Sequence, residues 1–442
     1  MTYKEALAYL SSLESLGIKL ALQNITQVLE ALGHPERRSP SVLISGTNGK
    51  GSVAALVASA LAAAGRRTAL YTSPHLVRYE ERIRVDGAPI SPEDFGAALG
   101  HVRATIDALL AEGRLKAHPT HFETLTAAAF HYFAKSGAEL SVLEVGMGGR
   151  LDATVLAGPR LSIITNVSLE HTSFLGDTVE AIAEEKAGIL QPGGTLLTGE
   201  TAAGPRRVFK EKAASVGGRL VELDTYARME PDAAVGGSFT VATPRRRYEK
   251  LTHRLPGVHQ RRNVTLAVAA CDLLDEAGIS VPVDAVRSGL STAAWPGRFQ
   301  AVGEGPRVIL DGAHNPAGCA VLAEALRASG ANPATTTILF GVLRQKDHEP
   351  MLAALRPAAA RLVLTRGASD KFRDPFTYLA AAKRAGWTDV TPTGTLDEGY
   401  AVARALTPTT GTLCICGSLY LVGDVMTHLH IDPFPAPQPA RI

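Results

Sequence analysis

Cysteine is scarce: the chain carries four in 442 residues, at positions 271, 319, 414 and 416. So few thiols, scattered among apolar residues, cannot build a disulfide framework, and they read as reduced core side chains. Cys414 and Cys416 fall in an alternating apolar run, the pattern of a buried strand rather than of a soft-metal site. Net charge is nearly absent too. Lys plus Arg number 45 and Asp plus Glu 43, a formal +2, too small a bias for a field dedicated to nucleic acid or an anionic membrane. Long hydrophobic runs are missing: the longest, residues 53–64, is Ala-rich, contains Ser59 and falls short of the ~20 residues a membrane span needs. The opening MTYKEALAYLSSLE places acidic and polar residues where a secretory signal would be apolar. With 45% hydrophobic and 20% charged residues, 42 glycines and 26 prolines, disorder is excluded as the main theme. The expectation is a soluble cytoplasmic protein, by default a monomer, with no nucleic-acid and no membrane partner.

What is present is alternation. Short runs rich in Val, Ile and Leu alternate with helical-period stretches almost end to end, the pattern of an α/β protein whose mostly parallel sheet is covered by helices. Strands are expected at residues 41–44, 68–71, 140–145, 161–165 and 195–197, each followed by a loop carrying Gly, Ser, Asn or His. Helices are expected at 53–64, 92–112 and 121–135, with Ser91 as N-cap ahead of a Pro at the first helical position. Residues 236–254 alternate like antiparallel strands, and a helix is expected over 261–277. A Pro/Gly break at 293–298 precedes a second βα series. Its strands lie near 308–310, 337–340, 362–364 and 413–415, its helices near 316–328, 376–385 and 397–406. Two domains, 1–296 and 297–442, accommodate this layout, with a loose Pro-rich tail over 433–442.

The most informative segment, Ser45-Gly46-Thr47-Asn48-Gly49-Lys50-Gly51-Ser52, leaves an apolar strand and opens an apolar helix. In that context glycines let the backbone wrap a phosphate, the helix N-terminus adds positive potential, the lysine reaches the terminal phosphates, and the hydroxyl can ligate Mg²⁺. The common phosphate loop has its hydroxyl residue directly after the lysine, whereas Gly51 intervenes here before Ser52. A glycine-rich turn alone does not call for a lysine between two glycines followed by a hydroxyl, so phosphate binding is the stronger reading. Ser73, in Thr72-Ser73-Pro74-His75, offers a second hydroxyl or simply forms a Ser-Pro turn. Glu144 closes an apolar strand at the end where open α/β sheets hold ligands, and a carboxylate buried there needs a cation. His171 follows another strand. A lone strand-end histidine is more often structural, but Ser52, Ser73, Glu144 and His171 can all converge on one rim. Lys186, after Glu184 and Glu185, is compatible with a solvated lysine on a charged helix face. In the second series Asp311 and His314 leave a strand, Asp311 either capping its turn or meeting a ribose or substrate.

Taken together, GTNGKGS, TSPHL, LEVGMGGRLDAT, EHTSFLG, EEKAGI, HQRRN, GRFQ and LDGAHNP occur in an order that resembles the folylpolyglutamate synthase and dihydrofolate synthase group of the Mur ligase superfamily. The resemblance spans residues 46–316 by motif and nearly the whole chain by layout. It implies a phosphate-loop N-terminal domain, a smaller Rossmann-like C-terminal domain, and ATP-dependent ligation of L-glutamate to dihydropteroate, to tetrahydrofolate (poly)glutamates, or to both, through an acyl phosphate. Carried over by position, Thr47, Asn48, Gly49, Lys50, Gly51 and Ser52 resemble the residues that hold the ATP phosphates. Ser52, Ser73, Glu144 and His171 resemble Mg²⁺ ligands. Lys186 matches a lysine that the family carries as a carbamate, a modification that turns an amine into an anion and can help hold a second Mg²⁺. Asn263, Arg298 and Asp311 look like nucleotide contacts, and His314 like a residue that positions substrate or nucleotide. Leu151, Asp152 and Ala153 lie where the family's pterin-binding loop lies, and Phe122 is placed to stack on an aromatic ring. The chain has Val155 where the family usually has Asn, and Glu170 where it often has Asp. Two rival readings are a Mur-type ligase acting on a cell-wall nucleotide precursor, and a phosphate-loop ATPase switch. Gly51 and TSPHL favour the folate branch over the first.

Overall fold

The computed structural model describes residues 1–231, 237–303 and 305–435. These form two compact units: one contains residues 1–73, 79–254 and 262–294, and the other contains 74–78, 255–261 and the chain from Trp295 onward. The second unit therefore takes in two short segments from the middle of the first. The tail beyond residue 435, and Gly236 at the start of the expected antiparallel stretch, lie outside the described residues.

The first unit is built on eight strands: β1 (Ser41–Ser45), β2 (Thr68–Tyr71), β3 (Ile83–Val85), β4 (Ala88–Pro89), β5 (Leu140–Glu144), β6 (Leu161–Ile164), β7 (Thr195–Thr198) and β8 (Arg219–Glu222). Their order across the sheet is β4-β3-β2-β5-β1-β6-β7-β8, parallel except for the β2–β3–β4 edge. The chain leaves β1, builds outward on one side, then returns to build the other. Strand order thus reverses beside β1, and open α/β sheets open a crevice at such a point, beyond the carboxyl ends of the strands. The register places Glu144 opposite Ile44, and Ser45 opposite Ile164, so the ends of β5, β1 and β6 are level.

The helix after β1 runs Lys50–Ala63, three residues earlier than its apolar run suggested, and ten of its residues are buried. Its sides are apolar all round because it is covered by the sheet and by the helix Val283–Thr292. At that crossing a Cβ on Gly289 would lie 2.4 Å from Ala60 Cα, and Ser59 Oγ donates to the Gly289 carbonyl at 2.9 Å. Gly289→Val is expected to destabilise the protein by about 1–3 kcal/mol, because the helices must separate to admit the side chain. A lowered urea midpoint reads this directly, and an unchanged midpoint would show that the crossing tolerates the bulk.

Ser91 caps the helix Pro92–Ala111 as expected, its Oγ accepting from Asp94 N at 3.0 Å. A second, antiparallel sheet comprises β9 (Arg228–Pro231), β10 (Phe239–Ala242) and β11 (Arg247–Leu251). It is tied to the helix Gln260–Glu276 by the fully buried Asp272, which accepts from Tyr226 Oη at 2.7 Å and Tyr248 Oη at 2.9 Å. Burial and that carboxylate together raise both phenols.

The second unit holds β12 (Gln300–Val302), β13 (Arg307–Leu310), β14 (Thr336–Phe340), β15 (Arg361–Leu364), β16 (Asp389–Pro392) and β17 (Thr412–Cys416), ordered β12-β13-β17-β14-β15-β16 and parallel apart from β12. Cys414 and Cys416 are buried in β17, as the alternation predicted. The helix expected from residue 376 starts later. Pro375–Tyr378 is a 3₁₀ turn headed by Asp374, whose side chain takes the Phe376 N–H, and only Leu379–Arg384 is α-helical. No helix among the described residues is long and apolar enough to cross a membrane.

Candidate active site

In the first unit the loop after β1 is shaped by two glycines in the left-handed half of backbone space, Gly46 at φ +145° and Gly49 at φ +85°. A Cβ on Gly46 would sit 1.9 Å from Thr165 Oγ1, and one on Gly49 would sit 2.8 Å from Asn263 Oδ1. The loop therefore lies directly on the end of β6 and on Asn263, the expected nucleotide contact. It is braced from β6's side: Thr47 N donates to Asn166 O at 2.9 Å, and Asn48 N to Asn166 Oδ1 at 3.0 Å. Thr165 Oγ1 and Asn166 Nδ2 both donate to Asn48 O, at 2.7 and 2.9 Å, and Ser168 N donates to Thr47 Oγ1 at 3.0 Å. The amides of Thr47 and Asn48 thus serve the loop's own scaffold. The helical ladder starts with Val53 N to Gly49 O at 3.0 Å, so the amides of Lys50, Gly51 and Ser52 form the helix N-terminus. Sequence reasoning missed Thr165 and Asn166; their signal was a polar Thr-Asn pair ending an apolar strand.

Glu144 is only 5% exposed and accepts from Ser73 N at 3.2 Å, which joins two of the expected metal ligands. Ser52 is buried in the first turn of the phosphate loop's helix. His171 stands beyond β6 at φ +52°, left-handed for a residue with a side chain, and Glu170 Oε1 lies 3.8 Å from its Nε2. Non-glycine residues held in that region cluster at functional sites.

The structure corrects the solvated-lysine alternative for Lys186. Its helix, Val179–Ala187, turns it inward; the side chain is 4% exposed and donates to the Gly46 carbonyl at 2.9 Å. Lys50 Nζ donates to the same carbonyl at 3.0 Å and to Thr47 O at 3.2 Å. Two amines thus meet on one oxygen of the phosphate loop. Burial, and then the neighbouring Lys50 charge, pull the Lys186 amine from its ordinary 10.5 down to about 7, against the opposing pull of Glu170 and Asp152.

Asp152 is buried and committed to its own loop: Oδ2 accepts from Gly146 N and Met147 N, each at 3.0 Å, while Oδ1 accepts from Thr154 N at 3.0 Å and from its hydroxyl. Burial raises this carboxyl, and those donors partly offset the rise. Its role is therefore to shape the loop beside Glu144. Ala153 is buried in the turn that follows, and Leu151 is half-buried. Phe122 covers the same loop, its Cζ 2.6 Å from where a Gly146 Cβ would stand.

In the second unit, Asp311 at the end of β13 accepts from Phe299 N at 2.8 Å and from Ala313 N at 2.9 Å. Its carboxylate clamps the GRFQ turn to the DGAHNP turn. Arg298 lies over this junction, its Nη1 2.3 Å from where a Gly312 Cβ would be. His314 Nδ1 lies 2.8 Å from Gly312 O; a carbonyl only accepts, so the proton is on Nδ1. His259, first residue of HQRRN and missed by sequence reasoning, has its proton affinity lowered by burial and by the Arg298 charge, against the opposing pull of Asp311.

Residues 44–271 match the Mur ligase middle domain, and residues 297–419 match the Mur ligase glutamate ligase domain. A dihydrofolate synthase/folylpolyglutamate synthase of Bacillus subtilis is 35% identical over 361 residues, covering 81% of this chain and 83% of that protein. A probable bifunctional folylpolyglutamate synthase/dihydropteroate synthase of Haloferax volcanii is 35% identical over 97% of this chain, which spans about half, 50%, of that longer protein. Among solved structures, Escherichia coli FolC in complex with DHPP and ADP superposes with a TM-score of 0.87 at 28% identity, covering 97% of this chain and 98% of that one. The phosphate loop, its two converging lysines and the clamped second-unit turn thus stand in a chain that belongs to the folylpolyglutamate synthase/dihydrofolate synthase family of Mur ligases, which are ATP-dependent ligases.

Proposed function

We propose that this chain uses ATP to join the amine of L-glutamate to a carboxylate of dihydropteroate, of a tetrahydrofolate (poly)glutamate, or of both. One observation carries the reading: Lys50 and Lys186 converge on the Gly46 carbonyl of a loop whose neighbouring strand end presents Glu144, which accepts from Ser73 N. Cationic amines, helix-terminal amides and a buried carboxylate in one crevice suit a metal-nucleotide phosphate chain.

A carboxylate is a poor electrophile, and transfer of the γ-phosphoryl group from ATP to its oxygen makes an acyl phosphate and ADP. The deprotonated glutamate amine then attacks the acyl carbon, the amide bond forms, and phosphate leaves. Lys50 and the amides of residues 50–52 neutralise charge on the phosphoryl group in transit. The hydroxyls of Ser52 and Ser73, the Glu144 carboxylate and the His171 imidazole fit Mg²⁺, since hard oxygen donors dominate the set and Glu144 is buried beside the phosphate loop. When bound, the ion supplies further neutralisation of phosphate charge. We assign Asn263, Arg298 and Asp311 to nucleotide contacts and His314 to positioning. Phe122 and residues 151–153 border the pterin. The low proton affinity of Lys186 supports its carbamylation: the neutral amine attacks CO₂, an N–C bond forms, a proton is released, and a carboxylate results.

The test is a coupled ADP assay with L-glutamate plus dihydropteroate or tetrahydrofolate in parallel, followed by product mass. ADP formation that requires both glutamate and a pteridine acid, with a product heavier by one glutamyl residue, is expected. Turnover indifferent to both substrates but responsive to a macromolecule would replace the ligase with a switch.

A further inference from the structure

Resting on the site just described, we propose that Phe174, with Leu169, forms an apolar lip beside His171 that favours an aryl carboxylate over an alkyl carboxylate as glutamate acceptor. Leu169 is 53% exposed and Phe174 43% exposed, and the two bracket His171 on one short loop, so the apolar surface there is paired in sequence rather than single.

The loop is not loosely placed. Phe174 N and Leu175 N donate to His171 O at 2.9 and 3.0 Å. Leu175 is buried, with its Cδ2 3.0 Å from where a Gly148 Cβ would stand. That contact pins the inner side of the single turn Thr172–Leu175 to the loop that follows Glu144. Neighbouring residues of a helical turn point ~100° apart, so a buried Leu175 turns Phe174 away from the pin. The backbone bonds from Phe174 N and Leu175 N to His171 O hold the turn that carries Phe174 directly against His171.

Substrate chemistry names the occupant. In dihydropteroate the reacting carboxylate is bonded directly to a benzene ring. Wherever that carboxylate meets the phosphoryl group, its ring is one bond away and must lie on whatever flanks the site. In a folyl glutamate the reacting carboxylate ends a flexible methylene chain, and the ring is many bonds distant. A lip at His171 therefore touches the ring of the first acceptor and only methylenes of the second. Aromatic faces reward such contact beyond the area they cover.

The experiment compares kcat/KM for the two acceptors in wild type, Phe174→Ala and Phe174→Tyr, with product mass, thermal midpoint and nucleotide affinity measured on each. Phe174→Ala is expected to lose about tenfold more efficiency with dihydropteroate than with the tetrahydrofolyl glutamate, chiefly through KM. Thermal midpoint and nucleotide affinity should hold, and Phe174→Tyr should restore the ratio. Equal losses with both acceptors, or none with either, overturn the lip, as does a wild type that uses the folyl glutamate alone. If wild type uses dihydropteroate alone, Phe174→Ala must still raise its KM with rescue by Tyr, and an unchanged KM overturns the proposal. A wild type that ligates glutamate to neither acceptor refutes the underlying ligase reading instead.

Discussion

Lys50→Ala should remove glutamate-dependent ADP release by at least about 10²–10³-fold, the usual effect of deleting one donor aimed at charge developing in a transition state. In the structure Lys50 Nζ rests on the Gly46 and Thr47 carbonyls, at 3.0 and 3.2 Å, so its amine is held over the loop. Losing those two bonds should not unfold the protein. Position 50 opens the helix Lys50–Ala63, where alanine is a good helix former, and the loop keeps its bonds to Asn166 and Thr165. A thermal midpoint near that of wild type, with turnover gone, is the expected pair of results. Lys50→Arg should not rescue, because a planar guanidinium fork cannot replace a compact ammonium in a loop this closely wrapped. Substantial ADP formation by the alanine variant would remove the phosphate loop from the chemistry altogether.

How much of this was legible in the chain depends on how local each cause is. The phosphate loop was, because its glycines, lysine and hydroxyl are consecutive and each answers a separate requirement of phosphate binding. Glu144 was, because an acidic residue closing a run of buried apolar ones is out of place unless something pairs with it. Lys186 was ambiguous for the opposite reason. Helix periodicity reports which face a residue occupies, whereas the group that receives its amine is a backbone carbonyl at Gly46, 140 residues earlier. Asp152 and Asp311 show a third case. Asp311 was nominated for a ligand by its position at a strand end and Asp152 by the family resemblance, and both carboxylates are engaged by nearby backbone N–H groups, a local use that Asp side chains often adopt in turns. The β3–β4 hairpin went unread although Asp86-Gly87, at φ +50° and +82°, is a strong two-residue turn signal. Ile83-Arg84-Val85 does alternate, but at three residues β3 is shorter than the roughly four to eight over which alternation marks a strand. The bracing of the phosphate loop by residues 165–168 was invisible for the same reason as Lys186, since a hydrogen bond across 117 residues leaves no periodic trace.

Lys186→Ala should abolish most turnover, again by about 10²–10³-fold, and acetate or formate should partly restore it if a carboxylate at this place is what the reaction needs. Folding should survive, because removing an amine buried to 4% exposure also removes the cost of desolvating it. The pH dependence follows from an amine that titrates near 7 in the folded chain and near 10.5 when unfolded. Between those values the unfolded chain holds a proton that the folded one lacks, so unmodified wild-type stability rises with pH across that window, and Lys186→Met should flatten the slope. Activity moves in the same direction on the acid side. Below about 7 the amine is protonated and cannot attack CO₂, so wild-type turnover should fall there and recover when bicarbonate is raised. A carbamate resonance on adding ¹³C-bicarbonate, absent from the alanine variant, would locate the modification. If the variant turns over like wild type and no such resonance forms, Lys186 is a buried bracket for the Gly46 carbonyl and Lys50 carries the cationic work alone.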